Sequence, residues 1–381
     1  MVDQKIDYKR LDYLKKVRSI VIKLGTRLIL SDNETNIIEK IAKDVSFYRE
    51  KGYRIVIVSS GAVGHAIKRL GLKSRPKNIK KIQALAAIGQ PILMDIWRDR
   101  FSKYNKIVSQ LLLTYDSFED RKKFLHVKDC FQALFDMDKV IPIVNENDTV
   151  AIEELKFGDN DTLAAHTSVI TESDLLIILS DIDGVYNKNP HKYEDAQFID
   201  FVEDVSKIEV EVDDIKDGFS LGGMSSKLKA AKMATDSGVS VIITDGCSFN
   251  LERILKGERI GTFFKPKKLE LSLKKKWLLY NRRLKGKIYI DRGAENALVK
   301  SKKSLLPSGI IKVEGDFNEG EVVGVYSQDN ILIAKGITYY SSSEIREIMG
   351  KSTDEIKLLD KKYEFPEVVD RDNMIVGKFE K

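Results

Sequence analysis

Short apolar runs that alternate with helical patterns occupy the first two thirds of the chain. The runs cover residues 19–23, 54–58, 107–113, 140–144, 175–179 and 239–244. They are rich in Val and Ile and lack polar alternation, which indicates strands buried on both faces. Between the first two runs, apolar residues recur at helical spacing over 36–50, and Gly52 ends that helix. We therefore predict an α/β fold with a mostly parallel sheet sandwiched by helices.

The pattern changes after about residue 286. Short strand candidates at 287–290, 310–313, 321–326 and 331–335 are separated by turns that contain glycine. A chain of 381 residues is long for a single core, so two domains are expected. We predict a first domain over residues 1–264, a basic linker over 265–286 and a small β-rich domain with a C-terminal tail over 287–381.

Positive charge is concentrated around the predicted linker. Residues 265–287 contain ten Lys or Arg and one Glu, whereas the whole chain carries a net charge of +6. Two interpretations remain open at this point. The stretch is either a solvated connector between domains or a patch that binds nucleic acid or another anion.

Several classes of protein are disfavoured by composition. No apolar stretch is long enough to cross a membrane, and the charged N-terminus lacks the apolar core of a signal peptide, so we expect a cytoplasmic protein without a membrane partner. The two cysteines, Cys130 and Cys247, form no CxxC or Cys/His cluster typical of zinc sites. We expect both to be buried thiols.

Unusual polar residues follow the predicted strands where each strand ends. These segments are 23–26, 59–62, 145–148, 180–181 and 244–246. Ligands of open parallel sheets bind at the carboxyl ends of the strands. Five polar segments at one edge therefore predict a ligand site there.

Basic and glycine residues in these segments suit a phosphate. Lys23 ends the apolar run 19–23, where a cation needs a partner unless it extends to the surface. Ser60 precedes a helix start, where it is either an ordinary cap or a ligand for a carboxylate. Two glycines precede Lys227 at another helix start, although no Walker A motif is present.

An acidic cluster accompanies these residues. Asp148, Asp159 and Asp161 are crowded with asparagines into two loops. Three interpretations are open: a solvated turn, a Mg²⁺ site, or a pocket for the ammonium group of an amino acid.

Taken in order, these motifs resemble the amino-acid kinase family, and within it the glutamate 5-kinases. The motifs are KLGT at 23–26, SSGA at 59–62, VNEND at 144–148, GDND at 158–161, SDIDGVY at 180–186 and GGMSSK at 222–227. The segments at 285–298 and 304–321 are similar to the PUA domain that many of these kinases carry. The resemblance spans residues 17–264 for the kinase part, and this pairing of domains is its most specific feature.

The resemblance implies roles for matching positions. Lys23 and Lys227 would contact the transferring phosphoryl group, and Asp161 would orient them. Ser60, Asp148 and Asn160 would bind the amino-acid substrate. The ATP-binding residues would be Lys23, Ser180, Asp181, Leu221, Gly222, Gly223, Met224, Ser225, Ser226 and Lys227. Leu221 stands where the family usually has threonine, and residues 1–16 extend beyond its usual start.

The resemblance also implies an activity. The chain would use ATP and Mg²⁺ to phosphorylate the side-chain carboxylate of L-glutamate, the first step of proline synthesis, with no metal held by the protein alone. Proline would be a feedback inhibitor, and the enzyme would form homo-oligomers. Acetylglutamate or aspartate kinase activity is the alternative within the family. RNA binding through the PUA domain is a less favoured alternative of another class.

Overall fold

The computed structural model describes residues 6–31, 34–151, 159–190, 192–208, 210, 223–268, 272–281, 283–357, 363 and 365–377. The chain divides into two compact units. The N-terminal unit spans Met1–Leu269 and the C-terminal unit spans Glu270–Lys381.

A sheet of eight strands, counted among the described residues, forms the centre of the N-terminal unit. The strands of this unit are β1 (Ser19–Leu24), β2 (Arg54–Ser59), β3 (Ile107–Leu113), β4 (Val140–Glu146), β5 (Leu175–Ser180), β6 (Val185–Tyr186), β7 (Phe198–Ile199), β8 (Phe201–Val202), β9 (Ser240–Asp245) and β10 (Thr262–Phe264). Their order in the sheet is β3-β4-β2-β1-β5-β9-β10-β8, while β6 and β7 form a separate ribbon. All neighbours are parallel except β9 and β10. The predicted α/β fold with a mostly parallel sheet is confirmed.

Burial along the strands follows from their place in the sheet. Every residue of β1 and β5, at the centre, is buried, whereas β3 at the edge is buried only at Leu111 and Leu113. A strand covered by helices on both faces needs apolar side chains at successive positions, which is why the central strands show no polar alternation.

One helix precedes β1, and the others lie in the connections between these strands. They are α1 (Tyr8–Leu14), α2 (Thr26–Ile29), α3 (Glu34–Glu50), α4 (Ala62–Arg69), α5 (Ile79–Ser102), α6 (Asp116–Glu119), α7 (Arg121–Phe135), α8 (Asn160–Ile170), α9 (Met224–Asp236) and α10 (Leu251–Leu255), with a 3₁₀ turn at Val205–Lys207. Helix α5 approaches α4 closely, because a Cβ on Gly89 would lie 1.7 Å from the carbonyl oxygen of Ala62. Glycine at this position therefore lets α5 support the first turn of α4, which borders the site described below.

The N-terminal extension is part of the fold. Arg10 on α1 is fully buried, and its guanidinium donates to the Asp200 side chain and to the carbonyl oxygens of Ile260 at 3.0 Å and Gly261 at 2.8 Å. A buried guanidinium needs such partners. Helix α1 is thereby fixed to the edge of the sheet formed by β8 and β10.

The C-terminal unit is built on a five-stranded sheet within the described residues. Its strands are β11 (Gly286–Ile290), β12 (Ile310–Glu314), β13 (Val322–Tyr326), β14 (Leu332–Ile337) and β15 (Met374–Val376), in the order β12-β11-β13-β14-β15. Its helices are α11 (Leu273–Tyr280), α12 (Arg292–Val299), α13 (Ser342–Ile348) and α14 (Thr353–Lys357), with 3₁₀ turns at Pro307–Gly309 and Arg371–Asn373. The β-rich second domain is thus present.

Part of the predicted linker belongs to this unit. Helix α11 contacts β14 and β15, and Lys335 on β14 donates to the carbonyl oxygens of Leu279 and Asn281 at 3.1 and 2.9 Å. Lys274 donates to the Asn373 side chain. Helix α11 therefore differs from a solvated connector, because these contacts hold it on the sheet.

Two remaining findings concern exposure. Cys130 and Cys247 are both exposed thiols, so the expectation that they are buried is wrong. In the part of the chain that the structure describes, no helix combines the length and the apolar character that crossing a bilayer requires.

Candidate active site

A cleft opens at the carboxyl ends of the central strands of the N-terminal unit. Strand β1 lies at the middle of this edge, with β2 and β4 on one side and β5 and β9 on the other. The cleft is lined by Lys23, Gly25, Thr26, Arg27, Leu28, Ser60, Gly61, Ala62, Val63, Gly64, Ile67, Arg75, Asn145, Glu146, Asp148, Asp159, Asn160, Asp161, Leu179, Ser180, Asp181 and Lys227. The sheet order brings together segments that are far apart in sequence.

Asp161 joins two lysines at the centre of the cleft. The carboxylate is fully buried in the first turn of α8, and its Oδ1 lies 2.5 Å from Lys23 Nζ. Its Oδ2 lies 3.6 Å from Lys227 Nζ and accepts a 2.8 Å hydrogen bond from Ser226 Oγ. Lys23 is 5% exposed and Lys227 8%, so the carboxylate holds two nearly buried ammonium groups side by side.

The charges of this cluster are set by burial and by each other. Burial alone would raise the pKa of Asp161, but Lys23, Lys227 and the bond from Ser226 lower it from 3.8 to about 2. Burial also lowers the pKa of Lys227, which the attraction of Asp161 opposes and the neighbouring Lys23 reinforces. Asp161 is therefore ionised at neutral pH and acts as the counter-charge for both lysines.

A hydrogen-bonded amide network lies on the β2 and β4 side. Asn160 Nδ2 donates to Ser60 Oγ at 2.7 Å and to Asn145 Oδ1 at 2.9 Å. Asn145 in turn donates to Gln90 Oε1 of α5 at 2.9 Å. These bonds fix the orientation of the side chains that point into this half of the cleft.

The adjoining helix start leaves backbone donors for a ligand. Gly61, the N-cap of α4, provides no side-chain cap and has φ +110°, which favours glycine, and a Cβ there would lie 2.8 Å from Ile29 Cγ2. The first N–H groups of a helix without such a cap remain available to an anion. Helix α9 also begins without a side-chain cap, at Gly223, and Lys227 lies in its first turn.

The other half of the cleft follows β5. Ser180 is the last residue of β5, and its Oγ donates to Asp181 Oδ1 at 3.1 Å. Asp181 Oδ2 lies 2.5 Å from Arg27 Nη1 of α2. Burial raises the pKa of Asp181, whereas the hydrogen bond from Arg27 and the positive charge of Arg27 lower it. The lowering effects are larger together, so the pKa of Asp181 lies below its ordinary value.

Asp159 adds another carboxylate near Asp161 and its two lysines. It is the N-cap of α8 and accepts a 2.7 Å hydrogen bond from the backbone N–H of Thr162. Burial and the negative charge of Asp161 raise the pKa of Asp159. The three aspartates of the acidic cluster thus have different environments, since Asp148 is only half-buried in the loop after β4.

The structure brings most of the predicted site residues to this cleft. Those lining it are Lys23, Ser60, Asp148, Asn160, Asp161, Ser180, Asp181 and Lys227. Gly223, Met224, Ser225 and Ser226 lie at the start of α9. Leu221 and Gly222 lie outside the described residues.

Sequence reasoning missed two arginines that line the cleft, Arg27 and Arg75. Arg27 directly follows the KLGT segment, so its position after a strand was a usable signal. Arg75 lies in the polar connection 70–78, where nothing in the local pattern separates it from neighbouring surface lysines.

No resident metal site is evident in the described ranges, which contain no group of three His, Cys, Asp or Glu side chains that could hold an ion. Both Asp161 oxygens already face lysines or Ser226.

Comparisons with known proteins match both units. The amino acid kinase family model matches residues 18–245, and the PUA domain model matches residues 286–358. The chain is 43% identical to a glutamate 5-kinase of Caldanaerobacter subterraneus subsp. tengcongensis, with 94% of this chain and 97% of that protein covered. It is 41% identical to a glutamate 5-kinase of Carboxydothermus hydrogenoformans, with 96% and 99% covered. For a glutamate 5-kinase of Syntrophotalea carbinolica the identity is 40%, with 97% and 100% covered.

Proposed function

Because this chain belongs to the amino acid kinase family, and within it to the glutamate 5-kinases, we propose that it transfers the γ-phosphate of ATP to the side-chain carboxylate of L-glutamate. The product is L-glutamyl 5-phosphate, which in this family supplies proline synthesis. The observation that carries the proposal is the convergence of Lys23 and Lys227 on the buried carboxylate of Asp161.

The sheet order suits transfer between two ligands. Strand β1 carries Lys23 at the middle of the cleft, Ser60 and Asp148 lie on the β2 and β4 side, and Ser180 and Asp181 lie on the β5 side. A substrate held on one side and a nucleotide held on the other would meet above Lys23. In-line placement of this kind is the main requirement of phosphoryl transfer.

The chemical problem is repulsion between anions. A carboxylate that approaches a phosphate at about 4 Å is repelled by roughly 4 kcal/mol at an effective dielectric near 20. Lys23 and Lys227 would offset this repulsion, and they would act more strongly as charge builds up on the transferring group. No general base is required, because a glutamate carboxylate is already ionised at neutral pH.

On the acceptor side, Ser60 and Asn160 would bind oxygen atoms of glutamate, and Asp148 would bind its ammonium group. The Asn160–Ser60 bond of 2.7 Å holds both groups in place before substrate arrives. A neutral acetamide, as in acetylglutamate, gains less from a carboxylate partner than an ammonium does, which favours free glutamate. Aspartate is one methylene shorter, a difference of only about 1–3 kcal/mol in a pocket.

On the nucleotide side, ATP would bind Ser180, Asp181 and the segment 221–227, with Lys23 and Lys227 at its phosphates. We propose that Mg²⁺ enters as part of the co-substrate MgATP, since Mg²⁺ in kinases is held largely by phosphate oxygens and water. Leu221 and Gly222 keep their predicted role in this segment.

The remaining roles follow from the family. The kinase domain would comprise residues 1–264 and the PUA domain residues 287–381, with the PUA domain serving assembly or regulation. Proline would inhibit by feedback, and the enzyme would act as a cytoplasmic homo-oligomer. RNA binding is the less favoured role of the PUA domain, and a salt-dependent RNA affinity would support it.

The proposal is tested by measuring ADP release with L-glutamate, N-acetylglutamate and L-aspartate, each with and without proline. Glutamate should be used best, and hydroxylamine should trap the acyl phosphate as a hydroxamate. ADP release that does not depend on any of the three acceptors, or a clear preference for N-acetylglutamate or aspartate, would refute the assignment.

A further inference from the structure

Arg75 is a cleft residue that no motif includes. It lies in the connection 70–78 between α4 and α5, is half-buried, and lines the cleft together with Gly64 and Ile67 of α4. In the described ranges, no carboxylate lies within ion-pair distance of its guanidinium.

The topology places Arg75 on the acceptor side. Helix α4 directly follows β2, which pairs with β4 on the side away from β5. The other cations that line the cleft, counted among the described residues, have partners elsewhere: Lys23 and Lys227 at Asp161, and Arg27 at Asp181. Arg75 is thus the cation that the β2 side contributes to the cleft wall.

The acceptor side is otherwise acidic. Glu146, Asp148 and Asp159 line it. Free glutamate brings an ammonium group and two carboxylates to this wall, and its side-chain carboxylate must face the lysines for transfer. Its α-carboxylate then approaches this acidic wall, and a cation on the same wall would offset the repulsion between like charges.

We propose that Arg75 binds the α-carboxylate of the glutamate acceptor and so selects an α-amino acid, an inference that rests on the proposed function. A guanidinium binds a carboxylate through two parallel N–H donors, with a geometry that lysine does not reproduce. Arg75, Asp148 and the lysine pair together contact all three charged groups of glutamate.

The backbone around Arg75 limits its freedom. Pro76 follows it, which fixes one dihedral angle and biases Arg75 toward extended conformations. Two residues later, Asn78 caps α5 by accepting a 2.9 Å hydrogen bond from the N–H of Lys80. The connection is therefore anchored at the α5 end, and less entropy is lost when Arg75 binds a ligand.

The test compares two acceptors that differ only in this carboxylate, because 4-aminobutyrate is glutamate without its α-carboxylate. We expect Arg75→Gln to raise the KM for glutamate by about 10- to 100-fold, the effect of losing a charged hydrogen bond, while the KM for ATP is unchanged. With 4-aminobutyrate as acceptor, wild type and variant should show equal Michaelis constants, or equal inhibition constants if turnover is slow. The KM of Arg75→Lys for glutamate should lie between those of wild type and Arg75→Gln.

Lys77→Gln is the matched control, because Lys77 is exposed in the same connection and does not line the cleft. It should leave every constant unchanged. The proposal is overturned if Arg75→Gln leaves the KM for glutamate unchanged. It is also overturned if Arg75→Gln raises the KM for glutamate and for 4-aminobutyrate equally, or raises the KM for ATP as much as that for glutamate.

Failure of the proposed function gives a different result. Calorimetric titration with glutamate and 4-aminobutyrate reads binding without turnover. Glutamate binding that depends on Arg75 in an enzyme that never phosphorylates glutamate would overturn the proposed function alone. Glutamate binding that is unaffected by Arg75→Gln would overturn this inference alone.

Discussion

Replacing Asp161 by asparagine should destabilise the N-terminal unit by an amount that depends on pH. Asparagine keeps the shape of the side chain but removes the charge that faces Lys23 at 2.5 Å and Lys227 at 3.6 Å. The two ammonium groups would then remain buried without the carboxylate that lies nearest to them. Breaking a buried ion pair in this way costs about 3–5 kcal/mol.

The pKa of Asp161 supplies part of this magnitude. A decrease from 3.8 to about 2 corresponds to about 2–3 kcal/mol of stability from the ionised carboxylate. The pKa of Asp161 is lower in the folded than in the unfolded state. This stabilisation is therefore complete when the pH is above the pKa of the unfolded state, and it is lost as the pH falls through the pKa of the folded state. The stability difference between wild type and Asp161→Asn should therefore shrink as the pH falls below about 4.

Tryptophan fluorescence during urea unfolding measures this difference. The chain has two tryptophans, so a Trp277→Phe background leaves Trp97, which is fully buried in α5, as the reporter of the N-terminal unit. Asp195→Asn is the control, because it removes an aspartate from an exposed pair with Lys188 and should change stability little. A difference between wild type and Asp161→Asn that is the same at pH 2.5 and at neutral pH would refute the reasoning.

Three further predictions concern activity. Lys227→Ala should lower kcat by about 10²–10³-fold, the effect of losing one transition-state donor. Lys229 is exposed on the same helix, and Lys229→Ala should leave kcat unchanged. An unchanged kcat in Lys227→Ala would remove this lysine from the mechanism. Asp148→Asn should raise the KM for glutamate far more than that for ATP. Glutarate lacks the ammonium group, so its inhibition should not weaken in this variant. Equal effects on the KM for glutamate and for ATP would contradict the amine-binding role. Gly61→Val should weaken glutamate binding in titrations, since φ +110° and the 2.8 Å approach to Ile29 leave no room for a side chain; wild-type affinity would show that the turn is not constrained.

The sequence predicted the six longer strands of the N-terminal unit to within two residues, because their signals are local. The predicted strand at 175–179 differs from β5 by one residue, and the helix predicted over 36–50 lies within α3. Strands β8 and β10 were missed, because two- and three-residue strands are too short to show a period. The role of Arg10 was also missed, because its partners Asp200, just before β8, and Gly261, just before β10, are distant from it in sequence.

By itself, the sequence determined which residue types end the strands and which motifs they form, and those motifs indicated the family. Only the tertiary structure decided that Lys23 and Lys227 share one buried carboxylate, that Arg75 lines the cleft, and that helix α11 packs on the second sheet. The physical reason is that an apolar run or a helix start depends on neighbours along the chain. The pairing order of strands, and hence which charges meet at the sheet edge, depends on hydrogen bonds and packing between segments that are distant in sequence.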